Sequence, residues 1–384
     1  MEKIQRALIM KLIRICLICM GVTAIALTAV TVSCALLQPK PLATSVQDRI
    51  LLHEAKDTIL AADYSVSMVG DIMLGGTAKE IYQKNGYRYA FDQTRHLLHK
   101  SSIAFGNLEG PLAVWGLTDP KKTYSFRSHP KKSADALAFA GFDVLALANN
   151  HALDYGVAGM LQTMDALDKQ KIKHVGGGLD LNEARQAKYV NVDGKKVAFL
   201  SYSLTFPEEF WATETHPGVA FGHKEHVIED VQNAKRYADA VLVSIHWGRE
   251  STTKLRPYQE NIGRAAIDAG ASIVIGHHPH ILQAVEQYKH GVILYSLGNF
   301  AFGSYSKRVH SSVVAQAHFK GSDLVKLRFW PIFVRNNDVL FQSKIFDEEQ
   351  ANEVVSHLQT LSAERGTQLI NDAGTALLIL EKNS

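Results

Sequence analysis

Three histidines within four residues form the densest group of potential metal ligands in this 384-residue chain. They lie in the stretch Gly276-His277-His278-Pro279-His280, directly after an apolar run. Imidazole nitrogens bind divalent transition metals and transfer protons near neutral pH. His278 and His280, two apart on an extended segment, could bind two adjacent ions, and His277 would face away and support them. A loop of solvated histidines is the alternative.

Other polar residues with ligand chemistry follow similar apolar runs. They are Asp71, Glu109, Asn149-Asn150-His151, His246 and Asn299. A short continuous apolar run is typical of a strand that is covered on both faces. The carboxyl ends of such strands form the ligand crevice of an open α/β sheet. We therefore predict that these groups, which are far apart in sequence, converge on one edge of one sheet and form a metal centre.

Most of these residues also have a simpler explanation. Asn149 and Asn150 are of a type common in turns. Asp71 and Glu109 could each cap the N-terminus of a following helix. The metal interpretation is favoured because two carboxylates beside a histidine cluster need a positive charge to neutralise them. His151 would then be placed as a general acid near neutral pH.

Strand-like runs alternate with helical patterns from about residue 64 onward, which predicts a mixed α/β fold with antiparallel additions. Helices are expected at 89–100, 132–140, 157–170, 226–236, 257–269 and 348–361. Late strands are expected at 311–318, 324–334, 339–341 and 376–380. The sequences Asp193-Gly194 and Lys289-His290-Gly291 are typical of tight β-hairpin turns.

Charge and motif content exclude several function classes. The formal net charge is +3, and residues 1–14, with four basic residues and one acidic residue, carry all of it. The neutral remainder offers no basic face for nucleic acid. The glycine-rich stretch 70–76 lacks the Lys-Ser/Thr of a phosphate-binding loop, and the chain has no Gly-x-Ser-x-Gly sequence. P-loop nucleotide chemistry and a serine hydrolase elbow are therefore excluded.

Residues 15–37 form an uncharged apolar stretch that is long enough to span a bilayer as a helix. The basic residues before it should stay in the cytoplasm, which predicts a single-pass protein of the bacterial cell membrane with its body outside the cytoplasm. A cleaved signal peptide is the alternative, and Thr31-Val32-Ser33-Cys34 loosely resembles a lipoprotein processing site. All three cysteines lie in this stretch, so the body has neither a disulfide nor a cysteine nucleophile.

The predicted organisation has five parts. They are a cytoplasmic tail (1–14), a membrane anchor (15–37), a linker (38–62), a main domain (63–305) and C-terminal strands and a helix that complete this domain (306–384).

Seven motifs occur in a fixed order along the main domain. They are Gly70-Asp71-Ile72-Met73, Asn107-Leu108-Glu109-Gly110-Pro111-Leu112, Ala148-Asn149-Asn150-His151-Ala152-Leu153-Asp154-Tyr155-Gly156, Val175-Gly176-Gly177-Gly178, Ser244-Ile245-His246-Trp247-Gly248, Gly276-His277-His278-Pro279-His280 and Tyr295-Ser296-Leu297-Gly298-Asn299-Phe300. Together they resemble the CapA family of poly-γ-glutamate capsule synthesis proteins over about residues 64–304. This family is related to the calcineurin-like metallophosphoesterases. The resemblance therefore implies an α/β sandwich of mixed sheets flanked by helices, with a two-metal site and an N-terminal membrane anchor.

The resemblance also implies a role for each site residue. One ion would be bound by Asp71 and His280, the other by Asn150, His246 and His278, and Glu109 would bridge them. His151 would be the general acid. Supporting or substrate-binding positions would fall to Arg127, Asn149, Asp154, His277 and Asn299. The ions would be divalent and of the Mn, Zn or Fe type.

One position departs from the phosphoesterase pattern. Those enzymes carry Asp-x-His in the first motif, whereas here Met73 follows Asp71 and Ile72. A thioether is a poor ligand for a hard divalent ion, so the first metal position lacks one protein ligand.

Two hypotheses for function follow. The first is an extracytoplasmic metal-dependent hydrolase or transferase that acts on a carboxylate-rich polymer such as poly-γ-glutamate, with Arg127 holding a substrate carboxylate. The second is a non-catalytic subunit that binds the anionic capsule polymer within a membrane synthase and export complex. Met73 favours the second hypothesis, and His151 favours the first, because binding metal alone does not need a general acid.

Overall fold

The computed structural model describes residues 62–380, except for 119, 121 and 307. The predicted tail (1–14), the predicted anchor (15–37) and all but the last residue of the predicted linker lie outside the described residues. Within the described part, the helices are too short or too polar to cross a bilayer.

The described chain alternates strands and helices. In chain order, the strands are β1 (Tyr64–Met73), β2 (Ile103–Leu108), β3 (Val144–Ala146), β4 (Lys173–Val175), β5 (Gly177–Gly178), β6 (Lys188–Val192), β7 (Lys195–Ser203), β8 (Gly218–Val219), β9 (Ala240–His246), β10 (Ile273–His277), β11 (Val285–Tyr288), β12 (Gly291–Leu294), β13 (Asn299–Phe302), β14 (Ser311–Lys320), β15 (Asp323–Phe333), β16 (Lys344–Ile345), β17 (Ile370–Asp372) and β18 (Thr375–Ile379).

The helices lie between and after these strands. They are α1 (Lys79–Asn85), α2 (Arg95–Leu98), α3 (Pro130–Ala140), α4 (Gly156–Lys169), α5 (Leu181–Ala184), α6 (Lys224–Lys235), α7 (Pro257–Asp268), α8 (Asn336–Val339) and α9 (Glu348–Ala363), with 3-10 turns at Gly76–Ala78, Tyr87–Ala90 and Glu208–Phe210.

Two large sheets form the centre of the fold. The first has the order β17-β18-β15-β14-β1-β2-β3-β4, with β13 paired to β1 and β16 to β15. The second has the order β11-β12-β10-β9-β7-β6. In both sheets the middle strands are parallel, and the outer strands that were predicted as additions pair antiparallel. The strands after residue 305 join β1 in the first sheet.

The apolar side chains form three layers of core. A central cluster joins the facing surfaces of the two sheets, where the rings of Phe105 and Phe199 stack at 5.5 Å. A second cluster packs α3 and α4, through residues such as Leu137 and Leu167, against the outer face of the first sheet. A third packs α6 and α7 against the second sheet. The predicted mixed α/β architecture, with sheets flanked by helices, is confirmed.

The prediction that the ligand-bearing strands belong to one sheet is wrong. Strands β1, β2 and β3 lie in the first sheet, whereas β9, β10 and β12 lie in the second. The error has a physical cause, because a strand that is buried on both faces has the same apolar pattern in either sheet. The carboxyl ends still meet, because Asp71 at the end of β1 contacts the histidine segment that follows β10.

Two local predictions are also wrong. The helix expected at 89–100 is a 3-10 turn and the short α2, between which Phe91 is buried against Phe142 and Phe300. The strand expected at 339–341 is the end of α8 followed by left-handed backbone, with φ of +51° at Leu340 and +62° at Phe341. The hairpins at 193–194 and 289–290 form as predicted.

Candidate metal centre

Asp71 lies at the end of β1, at the floor of a polar cluster between the two sheets. Its backbone N–H donates to the carbonyl of Gly298 at 3.0 Å. The strand approaches so closely here that a Cβ on Gly70 would lie 1.8 Å from that same oxygen, which explains why position 70 is glycine. The buried carboxylate of Asp71 accepts hydrogen bonds from Nδ2 of Asn107 at 2.8 Å and from the backbone N–H of His278 at 3.2 Å.

Two imidazoles flank the carboxylate of Asp71. Nδ1 of His277 lies 3.2 Å from Oδ1, and Nδ1 of His280 lies 3.1 Å from Oδ2. Burial alone would raise the pKa of Asp71, but the interactions with His277 and His280 outweigh it and hold this pKa well below its usual range. Asp71 is therefore an anion at neutral pH.

Glu109 follows β2 and is fully buried beside this pair. Its Oε1 lies 3.6 Å from Nε2 of His280 and 4.0 Å from Nε2 of His246. Neither carboxylate oxygen has a hydrogen-bond partner among the described residues. Burial raises the pKa of Glu109 well above its usual range, His280 opposes this rise, and the charge of Asp71 adds to it.

Asn150, His246 and His278 form the other side of the cluster. Nε2 of His246 lies 2.8 Å from Oδ1 of Asn150, and the rings of His246 and His278 lie 4.8 Å apart. Burial lowers the pKa of His246 well below its usual range and that of His278 to about 3, and in both cases a neighbouring imidazole adds to the effect. Both imidazoles are therefore neutral, as metal ligands must be.

The backbone of the histidine segment is strained. His278 has φ of +92° and His280 has φ of +59°, which non-glycine residues rarely adopt. Such strain persists only where the surroundings enforce it, and it is common at functional sites. Before this turn, a Cβ on Gly276 would lie 2.0 Å from the carbonyl oxygen of Tyr295, so the strand has no room for a side chain there.

His151 is buried next to this cluster, and a hydrogen bond with Asp154 fixes its orientation. Its Nδ1 lies 2.7 Å from Oδ2 of Asp154. The same oxygen accepts the backbone N–H of Phe126 at 2.7 Å, and Lys122 donates to the other oxygen of Asp154 and to the carbonyl of Asn150. Burial lowers the pKa of His151, and Asp154 opposes this shift.

Two asparagines connect the site to the strands. Asn149 donates to Oδ1 of Asn107 at 3.1 Å and accepts the backbone N–H of His151 at 3.1 Å. Asn299, which pairs with Asp71 in the register of β1 and β13, lies with its Oδ1 2.9 Å from Nδ1 of His280. The contact of Asn299 orients the imidazole of His280, as groups behind metal ligands typically do.

Arg127 is the one predicted site residue whose described contacts lie elsewhere. Its guanidinium lies over the ring of Tyr155 at 4.4 Å and donates to the carbonyl of Val114 at 3.1 Å. Neither contact joins it to the histidine and carboxylate cluster. Its position in the sequence gave no indication of this, because the aromatic partner lies beyond the Asn-Asn-His motif.

Three polar residues at the site were not predicted. Asn107 directly follows the apolar run 103–106 but was given no role, although its Nδ2 donates to Asp71. Lys122 lies in a loop without a preceding apolar run, and Glu250 lies four residues beyond the end of β9, so the strand-end argument did not find them. Glu250 has a ligand oxygen close to the imidazole nitrogens of His278 and His280.

The residues present fit a divalent metal. Three sets have ligand atoms that all lie within 4.8 Å of one another: Asp71, Glu109 and His280; Glu109, His246 and His278; and Glu250, His278 and His280. A buried carboxylate without hydrogen bonds is costly unless a positive charge lies beside it. Glu109 has this character, and it belongs to the first two sets, which places it between them.

Comparison with known proteins identifies the family of this chain. A model of the family described as bacterial capsule synthesis protein PGA_cap matches residues 65–304, which include every predicted ligand. The chain belongs to the PGA_cap family. The resemblance predicted from the seven motifs is thus confirmed.

Relatives of this PGA_cap protein include two proteins from Bacillus species. It is 36% identical over 281 residues to the capsule biosynthesis protein CapA of Bacillus anthracis, covering 71% of this chain and 67% of that protein. It is 35% identical over 270 residues to the PGA biosynthesis protein CapA of Bacillus subtilis (strain 168), covering 70% and 71%. Among solved structures, the calcineurin-like phosphoesterase YfkN of Bacillus subtilis matches with a TM-score of 0.39 and 14% identity, covering 73% of this chain and 87% of that chain.

Proposed function

We propose that this PGA_cap protein is a membrane-anchored, extracytoplasmic, metal-dependent enzyme of capsule synthesis that hydrolyses or transfers a carboxylate-rich polymer of the poly-γ-glutamate type. The relatives named for capsule and PGA biosynthesis support the polymer class. The anchor is the apolar stretch 15–37, and the partners are the anionic polymer and the membrane synthase and export subunits.

The ions would be held by two overlapping sets of ligands. Asp71, Glu109 and His280 would hold one ion, and Glu109, Asn150, His246 and His278 would hold the other. When bound, two divalent ions act as Lewis acids toward carbonyl or phosphoryl oxygens of a substrate. The chain itself fixes these ligands through Asn107, Asn149 and Asn299.

The observation that best supports an enzymatic role is the pair of His151 and Asp154 beside this cluster. Oδ2 of Asp154 accepts a hydrogen bond from Nδ1 of His151. Nε2 would therefore be the atom that exchanges a proton with the substrate. His151 would protonate the leaving group as the bond breaks. A centre that only binds metal has no need of this pair.

The alternative is a non-catalytic polymer-binding subunit of the synthase complex. Met73 favours it, because this residue replaces the histidine of the phosphoesterase motif and leaves one ion with fewer ligands. Under this alternative the metal would shape the polymer-binding surface.

Turnover of a defined polymer tests the proposal. Full-length protein with added Mn²⁺ is incubated with poly-γ-glutamate of known length, and chain length and new amino groups are followed. We expect the wild type and the exposed-histidine control His357→Ala to shorten or transfer the polymer, and His151→Ala to be slower by ~10²–10⁴-fold. Polymer that is unchanged by the wild type, with a generic phosphodiester as second substrate also unchanged, would contradict an enzyme and favour the binding subunit.

The proposed topology has its own test. Protease added to spheroplasts should digest the body of the protein, because the basic residues before the anchor keep only residues 1–14 in the cytoplasm. Full protection of the body would reverse this topology.

A further inference from the structure

Glu250 lies in the loop after β9 and faces the strained histidine segment. Two backbone hydrogen bonds join these loops: the N–H of Trp247 donates to the carbonyl of His277 at 3.1 Å, and that of Ser251 donates to the carbonyl of Pro279 at 2.9 Å. Ser251, directly after Glu250, has φ of +56°. The position of Glu250 is therefore set by main-chain contacts on both sides.

The carboxylate of Glu250 belongs to the third ligand set, which shares one histidine with each of the other two sets. Its oxygen and one nitrogen each of His278 and His280 lie within 4.8 Å of one another. His280 is shared with the set that contains Asp71, and His278 with the set that contains His246. The oxygen of Glu250 thus lies within 4.8 Å of a ligand nitrogen in each half of the centre. Glu250 is exposed and lies on the solvent side, whereas Glu109 is buried on the inner side.

We propose that Glu250 is a direct ligand of the ion held by Asp71 and His280, and that it supplies the ligand which Met73 does not. This inference rests on the proposed metal centre. Glu250 would close the solvent side of that ion with a carboxylate, a ligand that hard and borderline divalent ions accept readily.

The local charges support this role. Three carboxyl groups, those of Asp71, Glu109 and Glu250, lie around the imidazole of His280. The carboxylate of Glu250 thus lies close to two buried carboxyl groups, an arrangement that a divalent cation between them would stabilise.

Metal titration of the full-length chain tests this role without relying on turnover. Metal-free wild type, Glu250→Gln and the control Glu353→Gln, which alters an exposed glutamate of α9, are titrated with Mn²⁺ by calorimetry and by electron paramagnetic resonance. Groups that only orient ligands contribute about 10–100-fold to metal affinity, so losing a direct ligand should weaken the second ion by at least about tenfold. Glu353→Gln should match the wild type, and all three metal-free proteins should unfold at the same temperature.

A compensating substitution sharpens the test. If Glu250 replaces the histidine missing at position 73, Met73→His should restore the second ion in the Glu250→Gln background. Two ions bound by Glu250→Gln as tightly as by the wild type would overturn the inference and leave the proposed function standing. A wild-type protein that binds no ion would contradict both the proposed metal centre and the proposed role of Glu250.

Discussion

Nδ1 of His151 lies 2.7 Å from Oδ2 of Asp154, and both side chains are buried beside the metal-ligand cluster. The backbone N–H of Phe126 donates to the same oxygen, so Asp154 is fixed from a second direction. A carboxylate that accepts Nδ1–H sets the tautomer of the imidazole and the direction of its other nitrogen. Nε2 of His151, the proposed site of proton transfer, is thus oriented before any substrate arrives.

Replacing His151 separates metal binding from turnover. His151→Ala should keep its metal, because His151 belongs to none of the three ligand sets, but it should lose ~10²–10⁴-fold in turnover. Elemental analysis and polymer turnover are measured on the same sample, with His357→Ala as the exposed control. Undiminished capsule production by His151→Ala cells would favour the polymer-binding subunit.

Removing a ligand should cost both metal and stability. His246→Ala and His278→Ala should each lower the metal content, because the ions bind only the folded state. The stabilisation conferred by an ion at 100-fold its dissociation constant is about 2.7 kcal/mol, and each variant should lose most of it. Thermal unfolding with and without metal measures the difference. Unchanged metal content in both variants would show that these histidines are not metal ligands.

Met73→His should strengthen the weaker ion. The wild type should retain one ion through purification and bind a second more weakly, because Met73 offers a poor ligand to the position of Asp71 and His280. Titration of metal per chain compares the wild type with Met73→His. Equal affinity of the wild type for two ions would contradict this prediction, because it would show that the exposed carboxylate of Glu250 completes that position as well as a buried histidine would.

Acid should destabilise the fold partly through His318, which lies far from any predicted ligand in sequence. Burial lowers its pKa from 6.5 to about 4, and the charges of Lys326 and Arg328 act in the same direction. Between these values the unfolded chain binds more protons, so the free energy of unfolding falls as the pH falls from 6.5 to about 4. His318→Gln should remove roughly 1–3 kcal/mol of this loss.

Urea unfolding at pH 4 to 7 measures the pH dependence. The exposed His357→Gln serves as control and should follow the wild type. An identical pH dependence in His318→Gln and the wild type would show that His318 is not protonated differently in the two states.

The sequence located most residues of the polar cluster because each follows a run that is apolar on both faces. Asp71 and His277 are such cases, since Asp71 follows the run 67–70 near the end of β1 and His277 is the last residue of β10. The sequence could not assign these strands to two sheets, because Met68 and Ile275 contribute to the same central core from opposite sides. Glu250 escaped prediction because backbone bonds between two loops, and not an apolar pattern, set its position.

Residues in irregular loops were the least predictable. Lys122 reaches Asp154 from a loop whose sequence has no strand or helix pattern. Arg127 was expected to face the substrate, but Tyr155 lies under its guanidinium. Such contacts depend on how loops from distant parts of the chain meet, which periodicity does not encode.

Anomalous X-ray diffraction at the manganese edge, from crystals of the Mn²⁺-loaded protein, tests the central claim most directly. Two peaks are expected, separated by about 3.5–4 Å as in known two-metal sites. One should lie against Asp71 and His280, the other against His246 and His278, with the Glu109 carboxylate between them. Crystals that contain manganese by elemental analysis but show no peak beside Glu109 would contradict the account.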